Sequence, residues 1–384
     1  MKSKVLVVIP DADLGGVTSS AVNFCTELVR NGYCVDVLVM NGQELPLGVN
    51  VGIIKLNSLS KYWKLGASNL KTSSWYLLPF LILLSIIKKV TIRFNSWYPL
   101  IFAFSKIKGR YDVVMAYRQC APCYYYATHC VTARKSIGLI HGDYFEHENY
   151  TSWDYMMHDL THIACVSNAC RDAWKHHYPE IANKFCTIYN MFDVKCILEG
   201  ATKGDDVRFN SNVINFISIA RIENVTKRID RIPKVCKILK STGIINFHWY
   251  VVGDGPNLYS NVKLAEELGV SDLITFCGRR ENPFSLLKQA DMLVLTSICE
   301  SYGMVLKEAH ALCKPVIAMR YPALPEIVRD GINGIIAEQD EQSLADKIIF
   351  VLKDNSKQLR ELSLNASEIR VDNKEALAQF ESLL

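Results

Sequence analysis

One segment indicates the architecture most clearly: Leu295-Thr-Ser-Ile-Cys-Glu300-Ser-Tyr-Gly-Met-Val-Leu-Lys-Glu308-Ala-His-Ala-Leu-Cys-Lys-Pro-Val-Ile317. Its apolar ends flank a helical pattern, so the segment predicts a strand, a loop, a helix and a second strand. Gly303 lies at the predicted helix start, where unpaired backbone N–H groups and the helix dipole favour a phosphate. Glu300 is then expected in the loop above the sheet, and Glu308 one turn into the helix. Two acids at this spacing are also common on solvated helices, so the spacing alone does not identify a site.

The same alternation of strands and helices extends through the rest of the chain. A polar segment, residues 199–212, separates two alternating series and predicts a linker. We therefore expect an α/β fold of two Rossmann-like domains facing across a cleft, residues 1–198 and 213–384, with a last helix that could pack back on the first domain. The predicted strands are residues 4–9, 35–40, 51–56, 112–116, 136–140, 162–166, 185–189, 214–220, 247–252, 273–276, 292–296 and 315–319.

Composition narrows the class of protein. A chain of 384 residues with 49% hydrophobic and 21% charged residues is too long for one ordinary domain and too apolar for disorder. The net charge of +4 is too small to indicate general nucleic-acid binding. The apolar run at residues 4–9 is shorter than a signal-peptide core, and thirteen irregularly spaced cysteines favour a reducing compartment. We predict a cytoplasmic protein.

Residues 45–111 contain ten basic residues and no Asp or Glu. This window also holds Trp63, Trp75 and Trp97, and an apolar run over residues 75–87 that Lys88 and Lys89 follow. The run is shorter than the roughly 18 to 20 residues that a membrane-spanning helix requires. Aromatic and basic residues around such a run favour the headgroup layer, so we predict peripheral attachment to an anionic membrane surface through residues 55–110. A buried core helix with a solvated basic face is the alternative.

Further motifs accompany the quoted segment in a fixed order. With them the chain resembles the retaining glycosyltransferases of family 4, whose GT-B fold consists of two Rossmann-like domains around a deep cleft. The resemblance covers most of the second half and is thinner in the first. The motifs are Ala220-Arg221-Ile222 with Lys227, Val251-Val-Gly-Asp-Gly-Pro256, Phe276-Cys-Gly278, Lys314-Pro-Val316, Pro325-Glu-Ile-Val328, Asp330-Gly-Ile-Asn-Gly334, Asp13-Leu-Gly15-Gly16-Val17 and Leu139-Ile-His141-Gly-Asp143.

The resemblance implies a role for each matching residue. Arg221 and Lys227 would hold the diphosphate of a nucleotide-sugar donor, which requires fixed positive charge. Glu308 would hydrogen-bond the ribose, and Glu300 would contact the hydroxyls of the donor sugar. His141 would lie near the donor sugar and the attacking hydroxyl. The remaining positions implied to bind the donor are Gly16, Gly253, Tyr302, Gly303, Met304 and Val305.

The implied reaction is retaining transfer of a sugar from a nucleotide-sugar, with UDP favoured over GDP, to an acceptor hydroxyl. A lipid-linked saccharide in the assembly of a cell-surface polysaccharide, at the inner face of the membrane, is the expected acceptor. No cofactor besides the donor substrate is expected. Rival functions are a GT-B epimerase or phosphorylase, and a non-catalytic sensor or partner subunit that binds sugar nucleotides.

A metal site was the competing interpretation of one cluster, Cys120, Cys123, His129 and Cys130. These residues lack the spacing of a zinc knuckle, and their aromatic and apolar neighbours fit helix packing. The family generally needs no bound metal, and the chain has no Asp-x-Asp motif. We therefore expect no metal.

The chain departs from the family pattern at a few backbone positions. Ala220 and Arg228 stand where the family usually has glycine, and Cys313 does so too unless that glycine lies outside this register; Tyr321-Pro-Ala-Leu-Pro325 replaces a glycine-rich segment. Because the charged groups remain, we expect these changes to affect the identity of the donor rather than the class of reaction.

Overall fold

The structure is a computed structural model that describes residues 2–12, 15–54, 79, 106–142 and 154–384. It divides into two compact units, Met1–Met191 with Asn373–Leu384 and Phe192–Asp372. Each unit contains a parallel sheet, of seven strands in the first and six in the second. The predicted α/β class is confirmed, and each strand predicted from the sequence is present in the described residues.

The first sheet has the strand order β3-β2-β1-β4-β5-β6-β7. Strand β1 reads Lys-Val-Leu-Val-Val-Ile and is buried from its second residue onward, as expected for a central parallel strand covered on both faces. The order reverses beside β1, so the carboxyl ends of β1 and β4 form the point where open α/β sheets bind ligands. The strands are β1 (Lys4–Ile9), β2 (Cys34–Val39), β3 (Gly52–Ile54), β4 (Arg110–Ala116), β5 (Thr132–Ile140), β6 (His162–Cys165) and β7 (Phe185–Thr187).

Helices surround this sheet, and one of them comes from the end of the chain. Phe380 of that last helix is fully buried and packs edge-on against Phe24 at a ring-centroid distance of 5.4 Å. Its neighbour Glu381 accepts a hydrogen bond from the Tyr33 hydroxyl at 2.7 Å. The helices of the first unit are α1 (Gly16–Arg30), α2 (Ala121–Tyr125), which continues as a π-helical turn (Tyr126–Cys130), α3 (Asn168–His177) and the last helix (Lys374–Glu381), with 3₁₀ turns at Asp154–Asp159 and Pro179–Lys184.

The second sheet has the strand order β10-β9-β8-β11-β12-β13. Its strands are β8 (Ile214–Ile219), β9 (Phe247–Val252), β10 (Ile274–Gly278), β11 (Met292–Leu295), β12 (Val316–Met319) and β13 (Gly334–Ala337). Its helices are α4 (Val194–Ala201), α5 (Arg231–Ser241), α6 (Leu258–Glu267), α7 (Phe284–Gln289), α8 (Met304–Ala311) and α9 (Glu341–Glu368), with 3₁₀ turns at Ser271–Leu273 and Leu324–Glu326; the last helix of the chain, Lys374–Glu381, is α10.

Strand β13 was not predicted from the sequence. It reads Gly-Ile-Ile-Ala and begins at the last residue of the Asp330–Gly334 motif. It pairs with β12 so closely that a Cβ on Gly334 would lie 2.6 Å from the carbonyl oxygen of Val316. The close approach of the two backbones therefore requires a glycine where the strand begins.

The second unit begins at Phe192, ahead of the linker predicted at residues 199–212. The Asn282 side chain donates a hydrogen bond to the carbonyl oxygen of Gly200 at 2.8 Å. Phe209 stacks on Tyr250 at a ring-centroid distance of 3.6 Å. The small and polar residues that suggested a linker thus pack within the second unit, and residues 373–384 belong to the first.

The membrane-contact prediction concerns residues that the structure largely leaves undescribed. The apolar run at 75–87, apart from Pro79, and the three tryptophans of the basic window lie outside the described residues. None of the helices in the described ranges is long and apolar enough to cross a membrane.

Two of the three family-glycine positions, Arg228 and Cys313, adopt left-handed backbone conformations with φ of 49° and 59°. A residue with a Cβ is disfavoured there by roughly 1–2 kcal/mol relative to its usual conformations. Arg228 is held in place by Asp230, whose two carboxylate oxygens accept hydrogen bonds from the guanidinium at 2.9 and 3.1 Å. Cys313 is exposed just beyond α8, and its side chain takes part in none of the ion pairs of the described residues that could compensate the strain.

We expect Cys313→Gly to stabilise the protein by about 1 kcal/mol, because glycine adopts the left-handed conformation without a Cβ clash. The midpoint of thermal unfolding, followed by circular dichroism, measures the gain. Cys313→Ala is the matched control, since it removes the thiol and keeps the strained Cβ. An equal gain in both variants would attribute the effect to the thiol and contradict the backbone explanation.

Candidate functional site

The loop after β8 carries the two cations predicted to bind a diphosphate. Arg221 is exposed, and within the described residues its guanidinium makes no hydrogen bond or ion pair. The Glu223 carboxylate accepts hydrogen bonds from the backbone N–H groups of Val225, Thr226 and Lys227 at 2.8, 3.1 and 2.6 Å. Burial by itself would raise the pKa of Glu223, but a hydrogen bond from the Thr226 hydroxyl, together with these backbone hydrogen bonds, outweighs burial and lowers the pKa. The charged Glu223 carboxylate therefore holds the loop in its conformation by accepting hydrogen bonds from the N–H groups of that loop.

Lys227 and Glu300 lie in direct contact although 73 residues separate them in the chain. The Lys227 Nζ donates to Glu300 Oε1 at 2.7 Å, and the Ser297 hydroxyl donates to the same oxygen at 2.7 Å. The two side chains are 27% and 14% exposed, so the pair is shielded from solvent without being sealed from it. An ammonium group has three N–H donors, which leaves donors for a phosphate oxygen while the pair is intact.

The predicted helix start is confirmed at Gly303, which caps α8 with φ of 86°. A Cβ at this position would lie 2.4 Å from the hydroxyl of Tyr321, which donates to the carbonyl oxygen of Tyr302 at 3.2 Å. The backbone N–H groups of Met304 and Val305 belong to the first turn of the helix, where they have no partner further back in the helix. The tyrosine that replaces the family's glycine-rich segment thus packs directly beneath the helix start.

Glu308 is the fifth residue of α8, one turn into the helix as predicted. Its side chain is partly buried and makes no hydrogen bond or ion pair with any residue that the structure describes. Burial raises the pKa of Glu308 to about 7. Near neutral pH this carboxyl can exchange a proton, and a ligand hydroxyl would relieve the cost of its charged form.

Gly253 has a structural role that the sequence did not reveal. Its φ is 149°, and a Cβ would lie 1.9 Å from the carbonyl oxygen of Ala220. The loop after β9 therefore packs against the loop that carries Arg221, and Ile222 donates its N–H to the carbonyl oxygen of Asp254 at 2.9 Å. The predicted contact of Gly253 with the donor stays a prediction.

Gly16 and His141 are in the first unit. Gly16 is exposed at the start of α1, and a Cβ there would meet no described atom within 4 Å. His141 follows β5, and burial lowers its pKa to about 3, an effect to which the positive charge of Arg118 adds. The imidazole is therefore neutral at pH 7, able to form hydrogen bonds but carrying no charge.

Three residues beside His141 were not singled out from the sequence. The side-chain oxygen of Gln119 accepts the backbone N–H groups of His141 and Gly142 at 2.8 and 3.0 Å. Asp11, which follows β1, is paired with Arg118, which follows β4, at 3.2 Å. All three lie within three residues of the end of β1 or β4, the two strands at the switch point, and this position in the sequence could have indicated a functional role.

The cysteine cluster weighed as a metal site is placed around α2. Cys123 is fully buried and hydrogen-bonded to the thiol of Cys120, whereas His129 stacks on Tyr125 at a ring-centroid distance of 4.8 Å. Across the described parts of the chain, no group of three or more His, Cys, Asp or Glu side chains is arranged to hold a metal ion.

Two family models match the chain over nearly its whole length. The first, Glycosyltransferase Family 4, matches residues 14–195. The second, Glycosyl transferases group 1, matches residues 203–368. The division between the matches falls close to the division between the two units.

Two curated relatives and one solved structure are similar to this chain. A segment of 179 residues, 44% of the chain, is 27% identical to N-acetyl-alpha-D-glucosaminyl L-malate synthase of Bacillus anthracis and covers 44% of that protein. A segment of 94 residues, 24% of the chain, is 39% identical to D-inositol 3-phosphate glycosyltransferase of Mycolicibacterium smegmatis and covers 22% of it. The chain thus spans less than half the length of the curated relatives that it matches. The crystal structure of Anabaena Alr3699/HepE in complex with UDP and glucose has a TM-score of 0.66 with this chain, at 16% identity and 100% coverage of both, which shows a shared fold.

We expect Glu308→Gln to stabilise the ligand-free protein more at pH 8 than at pH 5. Below the ordinary pKa of 4.5 the carboxyl is protonated in the folded and the unfolded chain, and as the pH rises toward the folded value of about 7 its burial increasingly lowers stability. The cost is complete above pH 7, at about 1.4 kcal/mol for each unit of pKa difference. Thermal unfolding at both pH values measures it.

Glu266→Gln serves as the control for this prediction, since Glu266 is exposed on α6 in the same unit. It should change the unfolding midpoint little at either pH. A Glu308→Gln effect of equal size at pH 5 and pH 8 would contradict the raised pKa.

Proposed function

The chain belongs to glycosyltransferase family 4 and has the GT-B fold, and on that premise we propose that it is a retaining hexosyltransferase that uses a nucleotide-sugar donor. The observation that carries the proposal is the contact between Lys227 and Glu300, three residues ahead of the Gly303 helix start. A cation, a carboxylate and the N–H groups at the start of a helix are the groups that bind a sugar diphosphate, and this supports the proposal.

In the proposed reaction, the bond between the anomeric carbon and the diphosphate oxygen breaks, and the acceptor oxygen bonds to the same face of the sugar. Arg221, Lys227 and the first N–H groups of α8 stabilise the charge that develops on the leaving diphosphate. The departing phosphate takes the proton of the acceptor hydroxyl. Glu300 and the neutral imidazole of His141 orient the sugar through hydrogen bonds, and Glu308 accepts hydrogen bonds from the ribose hydroxyls.

We propose a UDP-sugar as the donor, which acts as a substrate and not as a resident cofactor. HepE, which shares the fold, was crystallised with UDP and glucose, and this supports a uridine donor by analogy of fold. Gly16 is exposed, and a Cβ there would meet no described atom within 4 Å, which is compatible with the close approach of a phosphate. Positive charge for the diphosphate comes from the chain itself.

We propose a lipid-linked saccharide at the inner face of the membrane as the acceptor. In the described part of the basic window, Lys106, Lys108 and Arg110 are all exposed, and they lead into the amino end of β4. Arg134 and Lys135 lie on the neighbouring strand β5, where Lys135 pairs with Val113 of β4. Each basic residue near an anionic lipid surface contributes about 1 kcal/mol to binding, so these basic residues near the amino ends of β4 and β5 support attachment to such a surface.

Lys227→Met should reduce donor affinity at least about tenfold, because a diphosphate loses one of its two proposed cationic partners. Nucleoside diphosphate release from a panel of UDP-, GDP- and ADP-sugars, with membrane lipid extract as acceptor source, measures the change. Lys234→Met removes a lysine whose ion pairs, among the described residues, are with Asp230 and Glu341 alone, so it should retain wild-type affinity. Unchanged affinity in folded Lys227→Met would overturn the site assignment, and no release by wild type from any donor would favour the sensor or partner-subunit function.

Reversing the charges of Lys106 and Lys108 to Glu should weaken binding to anionic vesicles several-fold. Sedimentation with phosphatidylglycerol vesicles at low salt measures binding. Binding should be lost with phosphatidylcholine vesicles, and it should also be lost in about 0.5 M salt, because salt screens the charges. The matched control reverses two exposed cations of the second unit, Lys203 and Arg208. Equal loss in both double variants would mean that binding depends on the net charge of the protein and not on the basic residues ahead of β4.

A further inference from the structure

We propose that Arg231 and Gln339 are positioning residues, a hydrogen-bonded pair that fixes the loop carrying Glu300 against the loop carrying Lys227. Neither side chain bonds to Lys227 or Glu300, so the pair acts through the backbone and hydroxyl groups between them. The expected effect on ligand binding rests on the proposed function, whereas the effect on the loops does not.

Arg231 is the first residue of α5 and is only 4% exposed. Its guanidinium donates hydrogen bonds to the carbonyl oxygen of Thr296 at 3.1 Å, and to the side-chain and backbone oxygens of Gln339 at 2.7 and 3.1 Å. It also donates to the sulfur of Met319 at 3.1 Å. These partners follow β11, follow β13 and end β12, so one side chain joins the ends of three neighbouring strands.

Gln339 extends this connection with its amide donors. The side-chain nitrogen donates to the carbonyl oxygen of Ser297 at 3.0 Å and to that of Arg320 at 2.7 Å. It also lies 3.4 Å from the carbonyl oxygen of Ile298. The backbone after β11 is therefore held at three consecutive residues, Thr296, Ser297 and Ile298.

The same three residues hold the candidate site from the other side. The Thr296 hydroxyl donates to the carbonyl oxygen of Lys227 at 2.8 Å, and the Ser297 hydroxyl donates to Glu300. Ile298 donates its N–H to the carbonyl oxygen of Thr226 at 2.8 Å. Continuous hydrogen bonds thus run from Arg231 and Gln339 to both members of the Lys227–Glu300 pair.

Packing alone does not account for Arg231. Filling a core position requires no charge, and well-packed apolar residues often replace buried ion pairs without loss of stability. A cation at the start of a helix is also unfavourably placed relative to the helix dipole. Removing the charge would leave no acid unpaired, since Arg228 and Lys234 also contact Asp230 and Glu341. Arg231→Met is therefore expected to fold and to lose specifically the ties to the loops.

The test compares wild type, Arg231→Met and Gln339→Met with Lys234→Met as the matched control. Lys234 lies on the same helix and, like Arg231, pairs with Glu341, but among the described residues it makes no bond to residues 296–298. Amide hydrogen exchange, read by mass spectrometry on the full chain, should be on the order of tenfold faster at residues 225–228 and 297–303 in the two test variants, and unchanged in the control. UDP affinity, measured by calorimetry, should fall on the order of 10- to 100-fold in the same two variants.

Arg231→Lys supplies the conservative comparison. A lysine keeps the charge but cannot reach all the oxygens that the guanidinium fork contacts, so it should restore UDP affinity only in part. Full restoration would show that charge alone is needed and would overturn the proposed geometry.

Wild-type exchange at the loops in folded Arg231→Met would also overturn the proposal, as would faster exchange with unchanged UDP affinity. If Arg231→Met does not fold, Gln339→Met carries the same comparison, because it removes the ties to Ser297 and Arg320 and leaves the buried charge in place. If wild type binds neither UDP nor any other nucleoside diphosphate, the proposed function fails, while faster loop exchange in the variants still supports the positioning role.

Discussion

A parallel sheet places the carboxyl ends of its strands at one edge, and in the second unit this constraint brings β8 and β11 side by side. The loops that follow them carry Lys227 and Glu300. Strand pairing aligns the two loops only approximately, and the hydrogen bonds of Thr296 and Ser297 complete the alignment. The order of the strands in the sheet brings the two charged groups close to each other, and their opposite charges then form the ion pair.

Loops that follow the strand ends have no neighbouring strand to pair with, so their backbone N–H and C=O groups need other hydrogen-bond partners. Here charged side chains supply those hydrogen bonds. Glu223 accepts the N–H groups of its own loop, and Arg231 donates to carbonyl oxygens of two others. The strained position at Arg228 is tolerated for a related reason, because Asp230 holds its guanidinium through two hydrogen bonds. A backbone conformation that glycine would adopt freely is thus maintained by electrostatic contacts.

The charged groups at the site fall into two kinds. Lys227 and Glu300 neutralise each other, whereas Arg221 and Glu308 have no partner among the described residues. Burial keeps the pKa of Glu308 near 7, so its charge is costly until a donor of hydrogen bonds arrives. Under the proposed function, a ligand that combines a diphosphate with sugar hydroxyls would meet an exposed cation, a helix start and a carboxyl that has no partner among the described residues.

The amino-acid sequence was sufficient for twelve of the thirteen described strands, the sheet class and the helix start at Gly303, because buried parallel strands read as continuous apolar runs and a glycine at a helix start has a local cause. It did not reveal β13, which directly follows the turn-forming residues of the Asp330–Gly334 motif, or the packing of residues 199–212, where composition resembles that of a linker. Glu223, Gln339 and Arg231 could not be recognised either, since the sequence does not distinguish a solvated acid, amide or cation from one that bonds to the backbone of a loop. Their roles depend on contacts between residues up to 108 positions apart, as between Arg231 and Gln339, and such contacts exist only once the strands are ordered in the sheet.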